Sequence, residues 1–275
     1  MRIARFRTDR GSGWGFVDGD TVRPVVRGPG LLDALGDLDT LRELEQESSD
    51  PIPIGESELL APVPDPPQFL GIGLNYRAHA AESGAPVPTS PVSFPFYNSS
   101  IAGPGDPILL PPFTDEVDWE VELAVVIGKP ARDVAVEDAL DYVAGYVIVN
   151  DLSARDIQMS EGQWSRAKSF DTFKPMGPWI TTADELGDAG DLDIELWVNG
   201  VLKQSSSTSD LIFNVPQLVS HMSQSLTLGA GAVISTGTPS GVGFARTPPE
   251  YLRPGDVITL EIEGIGRLTN PVEAG

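Results

Sequence analysis

The sequence predicts an α+β fold that is mainly β, with its helices at the periphery. Strand-like apolar segments outnumber helical ones, and the two do not alternate regularly as they do in a doubly wound sheet. A proline-rich stretch separates a short first part from the rest of the chain. The 275 residues are enough for one large domain and a small one. We therefore predict a small N-terminal domain with its linker over residues 1–66 and a larger second domain over residues 67–275.

The first part begins with two short strands at residues 3–6 and 14–17, which a turn-rich segment separates. Leucines at helical spacing predict one helix over residues 30–47. Six prolines within residues 51–67 then favour a linker or an irregular edge, because proline disrupts helices and central strands. We place the boundary at residues 62–67.

The second part is predicted to hold seven further strands and three helices. Asn199-Gly200 has the residues of a tight hairpin turn, and Ser153 with Asp156 has the spacing of a helix capping box. Residues 84–112 are rich in proline and glycine, so we expect a loop there. The predicted strands cover residues 69–73, 117–127, 143–149, 179–181, 194–198, 233–236 and 257–262, and the predicted helices cover residues 75–82, 153–158 and 214–223.

Composition excludes several classes of function. Eighteen basic and 40 acidic residues give a net charge of −22, which disfavours binding to nucleic acid or to anionic membranes. No apolar stretch reaches the ~20 residues of a membrane span, and no secretory signal is visible, so we expect a cytoplasmic protein. The absence of cysteine excludes thiolate metal sites and a cysteine nucleophile. With only two histidines, carboxylates must supply most ligands of any metal, which favours hard cations.

The strongest local signal is an acidic strand. Asp118, Glu120 and Glu122 occupy alternate positions, so a strand would place them on one face. A half-exposed strand with a solvated acidic face is the alternative. However, the same face continues with Ala124 and Val126, which indicates that the acids approach buried structure. Two carboxylates close together there repel each other unless a cation or a shared proton compensates, and a divalent metal is the simplest compensation.

A third acid ends a neighbouring apolar run. Asp151 follows the run of residues 142–150 and precedes a predicted helix, so it either points into a cleft or caps that helix. Three oxygen ligands completed by water suit an open octahedral magnesium site with room for substrate.

Other candidate residues lie outside the acidic strand. His79 and Glu82 are three residues apart on a predicted helix, where the carboxylate can orient the imidazole as a general base; the alternative is an ordinary surface pair. Lys168, one of four lysines, lies in an apolar, proline-bounded segment and could stabilise an anion, or it could be an ordinary surface lysine. His221, on an amphipathic helix, is interpreted as structural.

These segments together resemble the fumarylacetoacetate hydrolase family. The resemblance covers about three quarters of the chain, and the matching blocks occur in family order. They are FLGIGLNYRAHAAE (69–82), GPGDPI (103–108), DWEVELAVVIG (118–128), GYVIVNDLSARDIQ (145–158), QWSRAKSFDTFKPMGPWI (163–180), LWVNGVLKQ (196–204), STGTPSGVG (235–243) and LRPGDVITLEIEGIGRLTNPV (252–272).

The resemblance implies a β-roll catalytic domain, usually in a homodimer, with a small N-terminal domain. It implies an Mg²⁺ or Mn²⁺ site, with Ca²⁺ as a possible occupant in crystals. It also implies a small keto or diketo acid substrate, such as an acylpyruvate from the catabolism of aromatic compounds. The implied metal ligands are Glu120, Glu122 and Asp151; the implied catalytic residues are His79, Glu82 and Lys168; and the implied substrate-binding residues are Arg155, Gln158 and Thr238.

The implied activity is hydrolysis of a C–C bond by water that His79 and Glu82 activate, with an enolate leaving group that the metal and Lys168 stabilise. Decarboxylation of a 2-oxo acid such as oxaloacetate, isomerisation and dehydration use the same stabilisation and are the alternatives. A non-catalytic binding module on the same scaffold is a further alternative.

Two departures from the family pattern bear on the substrate. Phe96 replaces a lysine that many relatives carry, which implies a less anionic distal end, and Lys174 replaces a frequent cysteine.

Overall fold

Two β-sheets organise the protein, which the computed structural model describes for residues 1–9, 11–55 and 58–275. The strands are β1 (Arg2–Thr8), β2 (Gly11–Asp18), β3 (Thr21–Pro24), β4 (Ile52–Pro53), β5 (Leu59–Leu60), β6 (Phe69–Gly73), β7 (Val92–Pro95), β8 (Ile101–Ala102), β9 (Ile108–Leu110), β10 (Val117–Asp118), β11 (Val121–Ile127), β12 (Val143–Asn150), β13 (Ser153–Ala154), β14 (Lys174–Thr182), β15 (Asp193–Val198), β16 (Val201–Ser207), β17 (Val233–Ser235), β18 (Val257–Ile262) and β19 (Gly266–Ala274).

Helices are short and lie between the strands. They are α1 (Leu31–Ala34), α2 (Leu38–Gln46), α3 (Arg77–Glu82), α4 (Arg155–Glu161), α5 (Trp164–Ala167), α6 (Ala183–Leu186) and α7 (Val215–Ser225). Short 3-10 helices form at Asn98–Ser100, Val136–Tyr142 and Thr208–Asp210. None of the helices in the described ranges is long and apolar enough to cross a membrane.

The larger sheet has the strand order β4-β3-β2-β1-β14-β12-β11-β17-β6-β7, with β5 paired to β1 and β8 paired to β14. The smaller sheet has the order β16-β15-β18-β19-β9, and β10 pairs with β13 separately. Most neighbours are antiparallel, and β17–β6 is a parallel pair next to the edge strand β7. The two central strands β11 and β12 are buried along their whole length. The prediction of a mainly β α+β fold is therefore confirmed.

The N-terminal strands continue the large sheet. β1 pairs with β14 through Arg2 opposite Thr181 and Ile3 opposite Ile180. A separate group of buried apolar residues, which includes Phe6 and Val22, packs within this first part. The predicted domain boundary at residues 62–67 stays a prediction, since the sheet runs through both parts.

Several local predictions are confirmed. The helix predicted for residues 214–223 is α7, and its start has a capping box in which Asn214 and Gln217 each bond the other's backbone N–H. The hairpin predicted at Asn199-Gly200 joins β15 to β16, and both turn residues have positive φ. These features were predictable because turn and capping chemistry depends on adjacent residues.

Other local predictions are wrong in part. The single helix over residues 30–47 is two helices, because Gly36 passes close to the backbone of Gly128 and Asp37 caps a new helix through the N–H of Asp39. The loop predicted over residues 84–112 contains β7, β8 and β9. These strands are only two to four residues long, and pairing with distant segments rather than local pattern defines them.

The predicted capping box at Ser153 is also wrong. Ser153 lies in β13, opposite Asp118 of β10, and α4 begins only at Arg155. Asp156 accepts hydrogen bonds from the Thr114 hydroxyl and from the N–H of Ile157 instead. The pairing with β10 therefore overrides the local capping signal.

Candidate active site

A cleft of about 200 Å³ lies where β6, β11, β12 and α4 converge. Its volume is below the 300–1,000 Å³ that is typical of sites for drug-sized ligands, so it suits a small substrate. One side carries carboxylates and cations, and the other is apolar. All nine residues predicted for the site lie at or beside this cleft. Those that line it directly are His79, Glu120, Glu122, Asp151, Arg155, Gln158, Lys168 and Thr238.

Three buried carboxylates form a cluster in the cleft. Glu120, Glu122 and Asp151 each offer an oxygen atom, and these atoms lie within 4.8 Å of one another. Adjacent antiparallel strands bring them together, because Val121 of β11 pairs with Asn150 of β12. The N–H of Asp151 also donates to the Glu120 carbonyl at 2.9 Å. The side-chain alternation that predicts Glu120 and Glu122 on one face is therefore followed in the structure by a cluster of these two residues with Asp151.

The alternative of a solvated acidic face does not hold, because Asp118, Glu120 and Glu122 are 0–4% exposed. The strand is interrupted at residues 119–120, and the acids have different partners on either side of the break. Asp118 contacts Arg155 and the backbone N–H groups of Gly243 and Phe244. It is thus held apart from the carboxylate cluster.

The two neighbouring glutamates have opposite pKa shifts. Burial, together with nearby Asp151 and Glu120, raises the pKa of Glu122 well above its ordinary value. Burial alone would also raise the pKa of Glu120, but Lys168 and Arg155 outweigh it and lower this pKa to about 2. Burial and the neighbouring carboxylates thus disfavour the ionised form of Glu122, and a divalent cation at the three carboxylates would compensate this repulsion. The donor set is all oxygen and fits Mg²⁺ or Mn²⁺.

Lys168 lies inside this cluster. Its ammonium donates to Glu120 Oε2 at 2.8 Å, to Asp151 Oδ2 at 2.7 Å and to the Ser153 hydroxyl at 2.7 Å. Burial lowers the pKa of a lysine, but Asp151 and Glu120 outweigh burial and raise the pKa of Lys168. Lys168 is 3% exposed, so the alternative of a surface lysine does not hold.

The alternative that Asp151 caps the following helix does not hold either, because the N-cap residue of α4 is Ala154.

Arg155 bridges Asp118 and Glu120 within the acidic segment. Its Nε donates to Asp118 Oδ2 at 2.8 Å, and its two terminal nitrogens donate to Gln158 Oε1 at 2.8 Å and to Glu120 Oε1 at 2.6 Å. Its guanidinium also lies over the ring of Phe244, 4.5 Å from the centroid. Burial lowers the pKa of arginine, but Asp118 and Glu120 outweigh this effect and raise the pKa of Arg155.

The histidine and its carboxylate lie on α3 at the edge of the cleft. His79 Nδ1 and Glu82 Oε2 are 3.3 Å apart, and His79 is 6% exposed. Glu82 in turn accepts the N–H of Gly241 at 2.9 Å, which ties α3 to the glycine-rich turn. The pair is thus a cleft feature rather than an ordinary surface pair. His221 is exposed on α7, outside the cleft.

Thr238 lies on the same glycine-rich turn. Its hydroxyl donates to the Val121 carbonyl at 3.0 Å and accepts from Gln204 Nε2 at 2.8 Å. The turn also holds Glu122, whose Oε2 accepts from the Ser235 hydroxyl at 2.5 Å and the Gly237 N–H at 3.0 Å. The turn therefore orients one carboxylate of the cluster.

The apolar side of the cleft consists of aliphatic and aromatic side chains. Phe94 and Trp164 pack edge to face with centroids 5.2 Å apart. The cations lining the cleft among the described residues, Arg155 and Lys168, are already paired with carboxylates. The remaining apolar lining residues are Ile72, Leu74, Ala85, Met159 and Phe244.

Two buried residues of the site have no role that the sequence predicts. Asp118 belongs to the predicted acidic face, and Lys174 stands out only as a departure from the family pattern. Lys174 is fully buried, with its ammonium 2.8 Å from Asp151 Oδ1. Burial lowers its pKa to about 8. The ammonium lies 4.6 Å from the ring centroid of Phe96, so the two departures are direct neighbours in space.

Comparisons with known proteins agree with this architecture. Residues 68–273 match the family description "Fumarylacetoacetate (FAA) hydrolase C-terminal", and residues 1–62 match "Rv2993c-like, N-terminal". The chain is 46% identical over 216 residues to the mitochondrial oxaloacetate tautomerase of Xenopus laevis, covering 78% of this chain and 68% of the relative.

Solved structures with the same fold include two enzymes from bacteria. One is the fumarylacetoacetate hydrolase of the psychrophile Exiguobacterium antarcticum, with a TM-score of 0.86, 38% identity and full coverage of both chains. Another is the 2-hydroxyhepta-2,4-diene-1,7-dioate isomerase of Mycobacterium marinum, with a TM-score of 0.82, 37% identity, and coverage of 100% of this chain and 98% of that one. This chain belongs to the fumarylacetoacetate hydrolase family.

Proposed function

We propose that this protein is a divalent-metal-dependent hydrolase that cleaves a C–C bond in a small β-diketo acid of the acylpyruvate type. The observation that carries the proposal is that buried His79, paired with the partly exposed Glu82, lines the cleft beside the carboxylate cluster. A paired imidazole next to a charged cluster suits a general base for water, which hydrolysis requires.

Glu120, Glu122 and Asp151 would hold Mg²⁺ or Mn²⁺. When bound, the divalent ion withdraws charge from the keto oxygen of the substrate. The three carboxylates are buried and lie within 4.8 Å of one another, and the burial and mutual repulsion that raise the pKa of Glu122 favour a compensating cation. Mg²⁺ and Mn²⁺ both accept such a set of oxygen donors.

Side chains of the protein would carry out proton transfer and stabilise the enolate. His79 accepts a proton from water, and Glu82 orients the imidazole through Nδ1. The resulting hydroxide attacks the distal carbonyl carbon, the C–C bond to the pyruvate part breaks, and its electron pair goes to the leaving enolate. Lys168 provides a buried positive charge for that enolate. Protonation of the enolate carbon then completes formation of the two acids.

The other lining residues would bind and orient the substrate. Arg155 has used three of its five N–H groups on Asp118, Glu120 and Gln158, so two remain for a substrate oxygen. Thr238 lines the cleft from the glycine-rich turn. The apolar wall would exclude water from the bond that breaks.

A second candidate function is tautomerisation, isomerisation or decarboxylation of a 2-oxo acid. It is favoured by the likeness to the oxaloacetate tautomerase of Xenopus laevis, and by the isomerase among the solved structures. These reactions also pass through an enolate, so Lys168 would serve them in the same way. They do not need an activated water, and this difference separates the two candidates.

The decisive experiment compares turnover of acetylpyruvate, fumarylpyruvate and oxaloacetate with Mg²⁺ or Mn²⁺, with and without chelator. Chelator-sensitive formation of pyruvate from a diketo acid, with loss of its absorbance, supports the hydrolase. Pyruvate from oxaloacetate alone would assign a decarboxylase. A change in the enol absorbance of oxaloacetate without pyruvate formation would assign a tautomerase.

Single substitutions test the roles of His79 and Glu120 in that reaction. We expect His79→Gln to lower hydrolysis by about 10²–10⁴-fold, the typical contribution of a general base. His221→Gln is the matched control, since His221 is exposed outside the cleft. Full activity in a folded Glu120→Ala protein would contradict the metal assignment.

The cellular context is part of the proposal. A homodimer in the cytoplasm that acts in the catabolism of aromatic compounds, with neither nucleic acid nor membrane as a partner, is consistent with the family and with the net charge of −22. Light scattering coupled to size-exclusion chromatography tests the dimer, and a monomer mass would contradict it.

A further inference from the structure

Lys174 is the most completely buried cation of the site. Its side chain is 0% exposed, at the first position of β14. The ammonium donates to the carbonyls of Leu152 at 3.1 Å and Phe173 at 2.9 Å, and also to the carbonyl of Lys168. It forms an ion pair with Asp151 Oδ1 at 2.8 Å. One side chain thus joins three segments of the chain around the carboxylate cluster.

Such burial is costly for a lysine. Lysine is among the residues that are almost never fully buried unless paired, because its charge loses the solvation of water. An apolar side chain of similar length would pack beside the Phe96 ring without that cost. It would, however, leave Asp151 and the backbone carbonyls without this partner, so the role of the ammonium lies in its contacts.

Those contacts fix two members of the site at once. The Lys174 ammonium forms an ion pair with Oδ1 of Asp151, while Lys168 donates to Oδ2 of the same carboxylate at 2.7 Å. Lys174 also donates to the backbone carbonyl of Lys168. One ammonium group therefore constrains both the orientation of the Asp151 carboxylate and the position of the Lys168 backbone.

We propose that Lys174 is a positioning residue that orients Asp151 and Lys168, and so sets the affinity of the carboxylate cluster for a divalent cation. The inference rests on the proposed metal site but not on which reaction the site performs. It acts through Asp151 and Lys168 and needs no contact with the substrate. Groups that orient metal ligands typically contribute about 10–100-fold to metal affinity.

The test compares the dissociation constant for Mn²⁺ in the native protein, Lys174→Met and Lys129→Met, measured from the electron paramagnetic resonance signal of free Mn²⁺. Methionine keeps the length of the side chain and removes the charge. Lys129 is exposed and serves as the matched control. We expect Lys174→Met to bind Mn²⁺ about 10–100-fold more weakly, and Lys129→Met to bind as the native protein does.

A chemical rescue separates positioning from general damage to the fold. The chain contains no cysteine, so Lys174→Cys introduces a single thiol. Alkylation of the unfolded variant with bromoethylamine, followed by refolding, creates a lysine analogue at this position only. The native protein passes through the same treatment as a control. We expect the unmodified variant to bind Mn²⁺ weakly, and the alkylated one to recover the affinity of the treated native protein.

The outcomes distinguish this inference from the proposed function. Absence of Mn²⁺ binding by the native protein would contradict the metal site itself. Native binding with an unchanged affinity in folded Lys174→Met would overturn only the role of Lys174. Tighter binding in that variant would also overturn it, because the ammonium would then act by repelling the cation. A lower thermal midpoint without a change in Mn²⁺ affinity would assign a purely structural role.

Discussion

Arg155 allows a quantitative test of how the acidic segment is held. Its guanidinium forms two buried ion pairs, with Asp118 Oδ2 at 2.8 Å and Glu120 Oε1 at 2.6 Å. All three side chains are nearly inaccessible to solvent. Replacing Arg155 with methionine keeps most of the side-chain volume, removes the charge and leaves two carboxylates without this partner.

The loss in the free energy of unfolding can be estimated from the hydrogen bonds that Arg155→Met removes. A hydrogen bond to a charged group contributes about 1.5–3 kcal/mol, so two of them amount to about 3–6 kcal/mol. Asp118 keeps the N–H groups of Gly243 and Phe244, and Glu120 keeps Lys168, which places the loss at the lower end. We expect Arg155→Met to lower the free energy of unfolding by about 3 kcal/mol, in line with the cost of breaking a buried pair.

Urea unfolding in the presence of chelator measures this loss. Arg267→Met is the control, because the Arg267–Glu261 pair is exposed and such pairs contribute about 0–1 kcal/mol. In a double-mutant cycle with Asp118→Asn, we expect the two losses to be less than additive by about 1–3 kcal/mol. A loss below about 1 kcal/mol for Arg155→Met, or strictly additive losses, would refute the reasoning.

Three further predictions follow from other parts of the fold. Asn214→Ala removes the capping box of α7 and should lower the free energy of unfolding, measured in urea, by about 1 kcal/mol. An unchanged free energy of unfolding would contradict the role of the cap. Gly243→Ala would place a methyl group 2.0 Å from the Glu250 carbonyl oxygen and should lower the free energy of unfolding by about 1–3 kcal/mol. Gly55→Ala, whose methyl group would meet open space, is the control, and an equal loss in both variants would contradict the prediction. Trp164→Ala opens the apolar wall, so the KM for acetylpyruvate should rise while Mn²⁺ affinity stays constant; loss of Mn²⁺ binding would show that the wall supports the carboxylates.

The carboxylate cluster could be predicted because its signal is local. Period-two spacing places Glu120 and Glu122 on one face, and Asp151 ends the next apolar run along the chain. Adjacent antiparallel strands then bring the three together. What the pattern could not show is the break at residues 119–120, which gives Asp118 and Glu120 different partners on either side of Arg155.

The short strands β7, β8 and β9 could not be predicted for a physical reason. Their residues are ordered by partners far away: β8 pairs with Lys174 and Pro175, and β9 pairs with residues 272–274. Local composition, which is rich in proline and glycine, points to a loop. Lys174 is a similar case, since nothing near it in the sequence indicates that its ammonium is buried against Asp151.

The glycine-rich turn has a consequence for the order of folding. It closes contacts across very long loops: Ser235 and Glu122 are 113 residues apart, and Gly241 and Glu82 are 159 residues apart. Such loops are closed only after shorter ones, and topologies dominated by distant contacts fold slowly. The three ligands lie on adjacent strands, but the turn that orients Glu122 reaches it only at this late stage, so a divalent ion has no completed site to bind in early intermediates. We therefore expect added Mn²⁺ to slow unfolding of the native protein and leave the rate of refolding unchanged.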